Sequence, residues 1–569
     1  MTRQGTPIPA DPTLGETLWR AWMEDPDGLV GVFVSGTGAE LRCDRRRLLA
    51  RVQGFADRFA REAEPERGIA AICCHTGLDQ IAAFLGALWA GQLPTFLAPP
   101  SPRMEPRKYR ESFAQMVTHI QPRWMVVDRL ALGAVDPAAL DGAAGCRLVR
   151  PEAVTDATAI RPPAPQDGAA VAVVQHSSGT TGLQKGVALS HGAILLHNRR
   201  YAAALDLQAD DRVVSWLPLY HDMGFIACFL MPLLERIPFV HLSPFDWARR
   251  PALLLEQMAR QGGTRCWLPN FAFVFMAESI REGHGSPDLS LSHVRSWIDC
   301  SEPVTAAAMD RFVARFAPLG VTAAQCGASY AMAETVFAVT QTPPGATRVL
   351  RVDESAFRQQ RRIVPLDHDA GALGFVSNGP PLAGLEVRIG AAPEAAEGQV
   401  GEIQLRGATC FSGYYRRPDL TAAAFTGDGW YRTGDLGFLW RGEVYVTGRS
   451  KELLIIQGRN FHPAEIEARV MEVDGVHPGR AVAFGLADPA SGTERLILLA
   501  ESALETAGDR KRLALKIRAH VAQNLDCTPA EVHVLPRQWL VKSTSGKLAR
   551  NDNRAKYLRE LTGAARHAV

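Results

Sequence analysis

A short apolar segment that runs into a loop of hydroxyl-bearing residues and glycines restricts the fold of this chain most. Residues 171–174 (VAVV) have the composition of a buried strand, and the loop SSGTTG begins at Ser177. Glycines let backbone N–H groups approach an anion closely, hydroxyl groups add donors, and a following lysine adds positive charge. The spacing is not the GxxxxGK[ST] of a P-loop. We therefore predict a phosphate-binding loop of another type, with an ordinary surface loop as the alternative; its residues are Ser177, Ser178, Gly179, Thr180, Thr181, Gly182 and Lys185.

The length and composition are those of a large globular enzyme. A chain of 569 residues exceeds what one hydrophobic core accommodates, so two or more domains are expected. The net charge of +2 gives no reason to expect nucleic acid or an anionic membrane as a partner. The longest apolar run, residues 225–234, is interrupted by Pro232 and is too short for a membrane span. The first residues lack the apolar core of a signal peptide, and the ten cysteines form no CxxC pair, so we expect reduced thiols and a cytoplasmic location.

Helical and strand patterns alternate along the chain, which predicts an α/β protein. Apolar residues between Leu48 and Phe59 recur at helical spacing, and residues 78–96 have the pattern of a helix followed by a short strand. Residues 134–168 are rich in Ala, Pro, Gly and Asp, and we interpret them as a surface connection.

The pattern changes in the last third of the chain. Residues 374–448 consist of short alternating segments separated by glycine-containing turns, which predicts a small β-rich subdomain. After Arg449 a smaller α/β pattern returns, with one helix expected over residues 463–473 and another that carries a stripe of apolar residues at 513–525.

Further segments rich in polar and charged residues follow the loop. They are WLPLYHDMGF at 216–225, DCSEPV at 299–304, GASYAMAET at 327–335, YRTGDLG at 431–437, GRSKELLIIQGRN at 448–460 and KSTSGKLAR at 542–550. In this order and at approximately these spacings, the loop and the segments resemble the motifs of the adenylate-forming superfamily. That superfamily contains acyl-CoA synthetases, fatty acyl-AMP ligases and nonribosomal adenylation domains, and the resemblance covers essentially the whole chain.

The resemblance implies a fold and a domain organisation. We expect a large N-terminal domain of α/β subdomains, residues 1–449, which includes the β-rich subdomain at 374–448. Residues 450–569 would then form a small, mobile C-terminal α+β domain, and Lys451 would be the hinge between the two.

The resemblance also implies roles for individual residues. Asp435 would accept hydrogen bonds from the ribose hydroxyls, and Arg449 would contact the ribose–phosphate region. The adenine base would lie between the turn of residues 301–303 and the motif around Tyr330. Beyond the phosphate loop, the nucleotide-binding residues would be Ser301, Glu302, Pro303, Ser329, Tyr330, Ala331, Asp435 and Arg449.

Four residues would carry the catalytic and metal-binding roles in such an enzyme. His221 would lie near the reacting carboxylate, and Lys547 would be the catalytic lysine. Glu334, together with a loop hydroxyl such as that of Thr180 or Thr181, would hold Mg²⁺. Each also has a purely structural interpretation: His221 as a residue that only shapes the pocket, Glu334 as a helix cap and Lys547 as a solvated surface lysine. Asp435 could likewise be a turn residue that bonds its own backbone.

The expected chemistry explains these residue types. A carboxylate attacks the α-phosphate of ATP and expels pyrophosphate, so the protein must position two anions and neutralise their charge. Lys547 would bridge the carboxylate and the α-phosphate, where negative charge grows. Since Lys547 lies in a different expected domain from the phosphate loop, closure of the domains would assemble the site. Rotation about Lys451 would afterwards expose the acyl-adenylate to a thiol.

Within the superfamily the chain most resembles a fatty acyl-AMP ligase. The segments FLGALWAGQLPTFLAPP and SYAMAETVFAVTQT carry this resemblance, and residues 342–375 are longer than in an acyl-CoA synthetase. In that subfamily such an insertion is associated with poor transfer to coenzyme A and with delivery to the phosphopantetheine arm of a carrier protein. ATP, Mg²⁺, a fatty acid and a separate acyl carrier protein are therefore the expected ligands and partner. Ala331, Gln184 and Ser177 depart from the usual motif residues without removing a charge that the chemistry needs.

Other functions remain open at this point. An acyl-CoA or aryl-CoA synthetase would use the same first half-reaction. A free-standing amino-acid adenylation enzyme is possible because Asp222 could pair with an ammonium group. A nucleotide-binding scaffold without catalysis is the non-enzyme alternative, but the presence of Lys547, Glu334, Asp435 and Arg449 together argues against it.

Overall fold

The structure is a computed structural model in which helices and strands alternate, as the sequence predicts. It describes residues 13–61, 67–100, 106–133, 145–177, 185–281, 283, 289–345, 347–368, 372–390, 397–456, 459–488, 493–525, 527–542 and 548–561.

The part up to residue 204 contains the helices and strands that lead into and out of the predicted loop. They are α1 (Leu14–Glu24), β1 (Leu29–Val34), β2 (Glu40–Asp44), α2 (Arg45–Ala60), β3 (Ile69–Cys73), α3 (Leu78–Trp89), β4 (Leu93–Phe96), α4 (Pro106–Ile120), β5 (Trp124–Val127), α5 (Arg129–Leu132), β6 (Arg147–Val149), β7 (Val171–Ser177), β8 (Lys185–Ser190) and α6 (His191–Ala204). The predicted helices at 48–59 and 78–89 are confirmed as α2 and α3; Asp44 caps α2 by accepting from the backbone N–H of Arg47 at 2.7 Å. The interpretation of 134–168 as a surface connection is wrong at residues 147–149, because β6 pairs with β5 in a parallel sheet.

The central part contains a buried π-helix among alternating strands and helices. Its elements are β9 (Val213–Ser215), the π-helix (Met223–Leu230), α7 (Met231–Leu234), β10 (Phe239–Leu242), α8 (Pro244–Arg249), α9 (Ala252–Gln261), β11 (Arg265–Leu268), α10 (Asn270–Ser279), β12 (Ser296–Asp299), α11 (Ala306–Phe316) and β13 (Cys326–Ala328). The apolar run at 225–234 therefore forms core helices, and no helix among the described residues is both long and apolar enough to cross a membrane.

Two sheets of mainly parallel strands form the framework of this larger part. Among the described residues, one has seven strands in the order β13-β12-β11-β9-β10-β1-β2, in which β2 is antiparallel to its neighbour β1. The other has four parallel strands in the order β4-β3-β5-β6. Because β12 and β13 are parallel, their carboxyl ends meet at one edge of the seven-stranded sheet, which is where ligands bind in such folds.

The next part is β-rich, as predicted for residues 374–448. It contains β14 (Val349–Asp353), α12 (Glu354–Gln360), β15 (Ala372–Val376), β16 (Leu385–Ile389), β17 (Gly401–Gly407), β18 (Gly413–Tyr414), α13 (Pro418–Ala423), β19 (Tyr431–Trp440) and β20 (Glu443–Arg449). The strands β16-β17-β19-β20 form an antiparallel sheet. The separate antiparallel pair β14-β15 packs against it, and the ring of Phe375 in β15 lies 5.6 Å from the ring of Phe438 in β19.

The last part has its own hydrophobic core. Its elements are β21 (Leu454–Ile456), β22 (Arg459–Phe461), α14 (Pro463–Met471), β23 (Ala481–Asp488), β24 (Thr493–Ser502), α15 (Ala507–Leu525), β25 (Glu531–Pro536) and α16 (Arg550–Glu560). The helices predicted at 463–473 and 513–525 are confirmed as α14 and α15, and the predicted apolar stripe of α15 is buried: Leu513, Ile517, Val521 and Leu525. A separate core is what an independent domain needs, and the boundary near residue 450 stays a prediction.

All ten cysteines are free thiols. Burial raises the pKa of several of them, for example that of Cys228 to about 12, so their thiolate forms are disfavoured. The expected reduced thiols therefore agree with the structure.

The buried stripe of α15 generates a stability prediction. Replacement of Ile517, which is fully buried, by Ala should lower the free energy of local opening of this core by about 2–5 kcal/mol, because it leaves a cavity. Hydrogen exchange of the α15 amides measures this change. Leu515 on the same helix is 59% exposed, so Leu515→Ala is the matched control and should change that free energy by only about 0.5 kcal/mol or less. Equal effects of the two substitutions would contradict the packing described here.

Candidate functional site

The predicted phosphate loop lies between the two strands of an antiparallel hairpin. Strand β7 ends at Ser177, whose backbone pairs with Lys185 at the start of β8. Residues 178–184 and the side chain of Ser177 lie outside the described residues. The proposed contacts of Ser177, Ser178, Gly179, Thr180, Thr181 and Gly182 with phosphate therefore stay predictions.

Lys185 and Glu334 are brought together by a tyrosine that sequence reasoning missed. The ammonium nitrogen of Lys185 lies 4.5 Å from the ring centroid of Tyr414. The hydroxyl of Tyr414 donates a 2.9 Å hydrogen bond to Oε1 of Glu334. Tyr414 reaches this position because β18 pairs with β8, opposite Val187. A tyrosine in a two-residue strand far along the chain gives no periodic signal that would place it here.

Burial sets the protonation tendencies of this pair. Burial raises the pKa of Glu334, while the hydrogen bond from Tyr414 and the charge of Lys185 oppose that rise. Burial likewise lowers the pKa of Lys185. A bound cation would favour the charged form of Glu334, and a bound phosphate would favour the charged form of Lys185, since each supplies the opposite charge.

A second group of predicted residues meets at the end of the β-rich sheet. The register of β19 and β20 places Asp435 directly opposite Arg449, and the guanidinium Nε of Arg449 lies 3.3 Å from Oδ1 of Asp435. The hydroxyl of Tyr330 donates to Oδ2 of the same carboxylate at 2.7 Å. Burial raises the pKa of Asp435, and Arg449 and Tyr330 counteract it. The structure thus brings Tyr330, Asp435 and Arg449 into one contact cluster, and the predicted contact of Asp435 with the ribose stays a prediction.

The predicted adenine turn follows the last residue of β12. Ser301 has a φ of +77°, and its hydroxyl lies 3.8 Å from the sulfur of Met223. The carboxylate of Glu302 accepts from the backbone N–H of Phe271 at 3.0 Å, which ties the turn to the start of α10. Pro303 is exposed.

The second adenine motif is largely engaged in structural contacts. The hydroxyl of Ser329 donates to the carbonyl of Thr340 at 2.8 Å, and Ala331 pairs with Ala338 in an isolated bridge. Only the ring and hydroxyl of Tyr330 lie within the cluster that contains Asp435.

The half-buried His221 precedes the π-helix. Its ring lies 5.0 Å from that of Tyr220. Asp222 accepts from the N–H of Met223, and its charge raises the pKa of Glu334, so the acyl motif lies within electrostatic reach of the acidic residue. Gly224 is required here, because a Cβ would lie 2.4 Å from the carbonyl oxygen of Pro218. Irregular helices of this kind often occur at functional sites.

The predicted hinge lies close to the same region. Lys451 occupies a short 3₁₀ turn (Ser450–Glu452) after β20, and its charge lowers the pKa of Lys185. Glu452 in this turn forms an ion pair with Arg550, which also bonds Glu467 at 2.9 Å. Arg550, the last residue of the KSTSGKLAR segment, was not predicted as a site residue; its position in a motif was the only available signal.

Lys547 lies outside the described residues, but the residues that flank it approach the site. Lys542 and Leu548 pair in an antiparallel bridge. The ammonium nitrogen of Lys542 lies 5.3 Å from the ring centroid of Phe271, whose backbone N–H bonds Glu302. The start of the KSTSGKLAR segment therefore contacts the α10 end of the candidate site.

Known proteins resemble this chain over most of its length. Residues 34–415 match the family model described as AMP-binding enzyme. A relative named long-chain-fatty-acid–AMP ligase FadD32, from Mycolicibacterium smegmatis, is 31% identical, covering 90% of this chain and 88% of the relative. A putative acyl-CoA synthetase from Caulobacter vibrioides is also 31% identical, with 86% and 85% covered.

A solved structure supports the same assignment of fold. It comes from a study of fatty acyl-adenylate ligases from E. coli and L. pneumophila, and it superposes with a TM-score of 0.87 at 26% identity, covering 98% of this chain and 99% of that chain. The fold predicted from the resemblance is thus confirmed. The chain belongs to the AMP-binding enzyme family and has the fold of the adenylate-forming enzymes.

Proposed function

We propose that this protein is a fatty acyl-AMP ligase. It activates a fatty acid with ATP, forms acyl-AMP and pyrophosphate, and transfers the acyl group to the phosphopantetheine thiol of a separate acyl carrier protein. The observation that carries this proposal is the Tyr330–Asp435–Arg449 cluster in a chain that also places Lys185 beside Glu334. Relatives named fatty-acid–AMP ligases support the acyl class.

The two clusters bind different parts of ATP, the ribose and the phosphates. Asp435 keeps lone pairs free on both oxygens after accepting from Tyr330 and contacting Arg449, so it can accept from ribose hydroxyls. Lys185 stands at the end of the loop hairpin and neutralises phosphate charge. Fixing the ribose and the phosphates together presents the α-phosphate to the incoming carboxylate, which is the main task in phosphoryl chemistry.

The residues present fit a magnesium ion. Glu334 offers a carboxylate oxygen, the ligand type that Mg²⁺ prefers, and the ion is commonly held by one or two carboxylates together with substrate phosphates. Among the described residues no group of three or more His, Cys, Asp or Glu could hold a metal. The site would thus combine Glu334 with a hydroxyl of the phosphate loop, for which Thr180 is the proposed ligand. The ion would neutralise charge on the leaving pyrophosphate.

The C-terminal segment, residues 450–569, supplies the catalytic lysine in this proposal. Lys542 contacts Phe271, whose backbone N–H bonds Glu302, so the described start of the KSTSGKLAR segment lies next to the site, and this supports a role for Lys547 there. A positive charge from Lys547 stabilises the charge that develops between the carboxylate and the α-phosphate. After adenylation, rotation of the C-terminal segment about Lys451 would open the site, so that a thiol can reach the acyl-AMP.

A buried arginine of the insertion at residues 342–375 makes several contacts with the C-terminal segment. Arg358 in α12 is 1% exposed, and it pairs with Glu354 on its own helix at 2.7 Å and with Glu465 of α14. It also donates to the carbonyl of Asn460 at 3.1 Å and lies 4.6 Å from the ring centroid of Phe461. Rotation of the segment would remove the last three partners. We infer that this contact restricts the opening that free coenzyme A needs.

An acyl-CoA synthetase is the second candidate, because one relative carries that name. ATP–pyrophosphate exchange across a panel of fatty, aryl and amino acids tests adenylation. Thioester formation with coenzyme A and with a phosphopantetheinylated carrier protein then separates the acceptors. Fatty acid-dependent exchange with transfer only to the carrier is the expected result. Rapid acyl-CoA formation would favour the second candidate, and no exchange with any acid would contradict both.

Substitution of Lys547 by Ala tests the catalytic lysine. Loss of one preorganised charge should lower the rate of pyrophosphate exchange roughly 10²–10³-fold, while the thermal unfolding of the protein stays unchanged. Lys511, exposed on α15, gives the matched control Lys511→Ala, which should retain the wild-type rate. A folded Lys547→Ala protein with wild-type exchange would show that another group does this work.

Substitution of Lys451 by Pro tests the hinge. A fixed φ should leave pyrophosphate exchange intact and block thioester formation, because only the second half-reaction needs the rotation. Single-turnover assays with acyl-AMP and a carrier protein measure the second step by itself. If both half-reactions fall by the same factor, Lys451 is not the hinge.

Substitution of Arg358 by Met tests the restriction by the insertion. Removal of the guanidinium should free the C-terminal segment and raise acyl-CoA formation several-fold, with pyrophosphate exchange nearly unchanged, because no residue of the two nucleotide clusters is altered. Arg362→Met is the control, since Arg362 is exposed at the end of the same helix region. An unchanged ratio of acyl-CoA to acyl carrier protein product in Arg358→Met would argue that the insertion acts by other contacts.

A further inference from the structure

A buried carboxyl group without a partner lies beside the proposed adenine site. Asp299 is the last residue of β12, and its side chain is fully buried. Neither of its carboxyl oxygens has a hydrogen-bond partner among the described residues. Its backbone carbonyl, in contrast, accepts from the N–H of Ser329 at 3.0 Å. Buried polar groups are nearly always paired, so an unpaired carboxyl at a strand end indicates a missing partner.

The other polar side chains at this edge are already engaged. Ser329 donates to the carbonyl of Thr340, and Tyr330 donates to Asp435. Glu302 accepts from the N–H of Phe271. The residue opposite Asp299 on β13, on the same face of the sheet, is Ala328, which has no polar side-chain atom. Among the described side chains at this edge, Asp299 thus combines full burial with carboxyl oxygens that have no hydrogen-bond partner.

Burial of the Asp299 carboxyl favours its neutral form. Burial raises the pKa of this carboxyl well above its usual range, and the nearby charge of Glu302 acts in the same direction. A protonated carboxyl has one O–H donor and one carbonyl acceptor side by side. Adenine offers the complementary pair on each of its polar edges, an amino donor at N6 next to a ring nitrogen acceptor.

The turn that follows Asp299 lies within electrostatic reach of its carboxyl, because the charge of Glu302 acts on that group. Ser301 in the turn has a φ of +77°, a conformation that costs a non-glycine residue free energy. Because the Asp299 side chain is fully buried, a base reaches its carboxyl only if the neighbouring chain shifts, and we take the strained turn as the segment that shifts.

We propose that the carboxyl group of Asp299 recognises the adenine base by accepting from the 6-amino group and donating to the adjacent ring nitrogen. This role rests on the proposed function, because it assumes that a nucleotide binds at the ends of β12 and β13. It makes Asp299 a determinant of base specificity that lies outside the turn and motif residues predicted from the sequence.

Calorimetric binding of AMP and of its analogue without the 6-amino group, purine riboside monophosphate, tests the proposal without any catalytic step. The wild type and Asp299→Asn, which keeps a donor and an acceptor, should bind AMP roughly 10–100-fold more tightly than the analogue. Asp299→Leu should bind the two with equal affinity. Asp310→Leu, on the exposed side of the neighbouring helix α11, is the control and should behave as the wild type.

A purely structural role of Asp299 gives different results. An equal preference for AMP in the wild type and Asp299→Leu, loss of that preference in Asp299→Asn, or no AMP binding by the wild type would each overturn the proposal. Removal of an unpaired buried carboxyl should not lower the melting temperature of the free protein. Asp299→Ala is the second apolar variant. Failure of both Asp299→Leu and Asp299→Ala to fold would also overturn the proposal. If no acid supports pyrophosphate exchange, the proposed function is refuted. The comparison of AMP with its analogue does not depend on that exchange and still tests the role of Asp299.

Discussion

The hydrogen bond from Tyr330 to Asp435 joins two parts of the molecule that fold around different sheets. Tyr330 follows the last strand of the seven-stranded sheet, and Asp435 lies in the antiparallel β-rich sheet. Arg449, which contacts the same carboxylate, is followed directly by the turn that leads into the C-terminal segment. One buried carboxylate, the proposed ribose ligand, thus contacts the end of the seven-stranded sheet, the β-rich sheet and the residue that precedes the last segment.

Glu334 and Asp435 share a physical design. Both are buried carboxylates whose pKa burial raises, and both accept a hydrogen bond from a tyrosine hydroxyl, from Tyr414 and Tyr330 respectively. A cationic side chain lies near each of them, which partly offsets the loss of water around the charge. Because these two carboxylates are already held in place, binding of a ligand carries little free-energy cost for ordering them.

Much of this arrangement can be predicted from the sequence, and the remainder has identifiable reasons. The loop hairpin, the β-rich part and the stripe of α15 have periodic signals, and Asp435 and Arg449 lie in motifs. Tyr414 could not be predicted, because its contacts arise from the pairing of a two-residue strand with β8. Asp299 could not be singled out either, since a polar residue at a strand end is ordinary until its burial and lack of partners are known. The strand β6 was missed because its three residues are too few to establish a period.

The double contact of Tyr414 has a consequence for how mutations at the site combine. Its ring lies under the ammonium of Lys185 while its hydroxyl bonds Glu334, so one phenol is part of both environments. Changes in free energy caused by substitutions at Lys185 and Glu334 should consequently not add, although the two residues come from distant parts of the chain. Part of their coupling passes through this aromatic ring, and that part should vanish in a background where the ring has been removed, which leaves the direct attraction between the two charges.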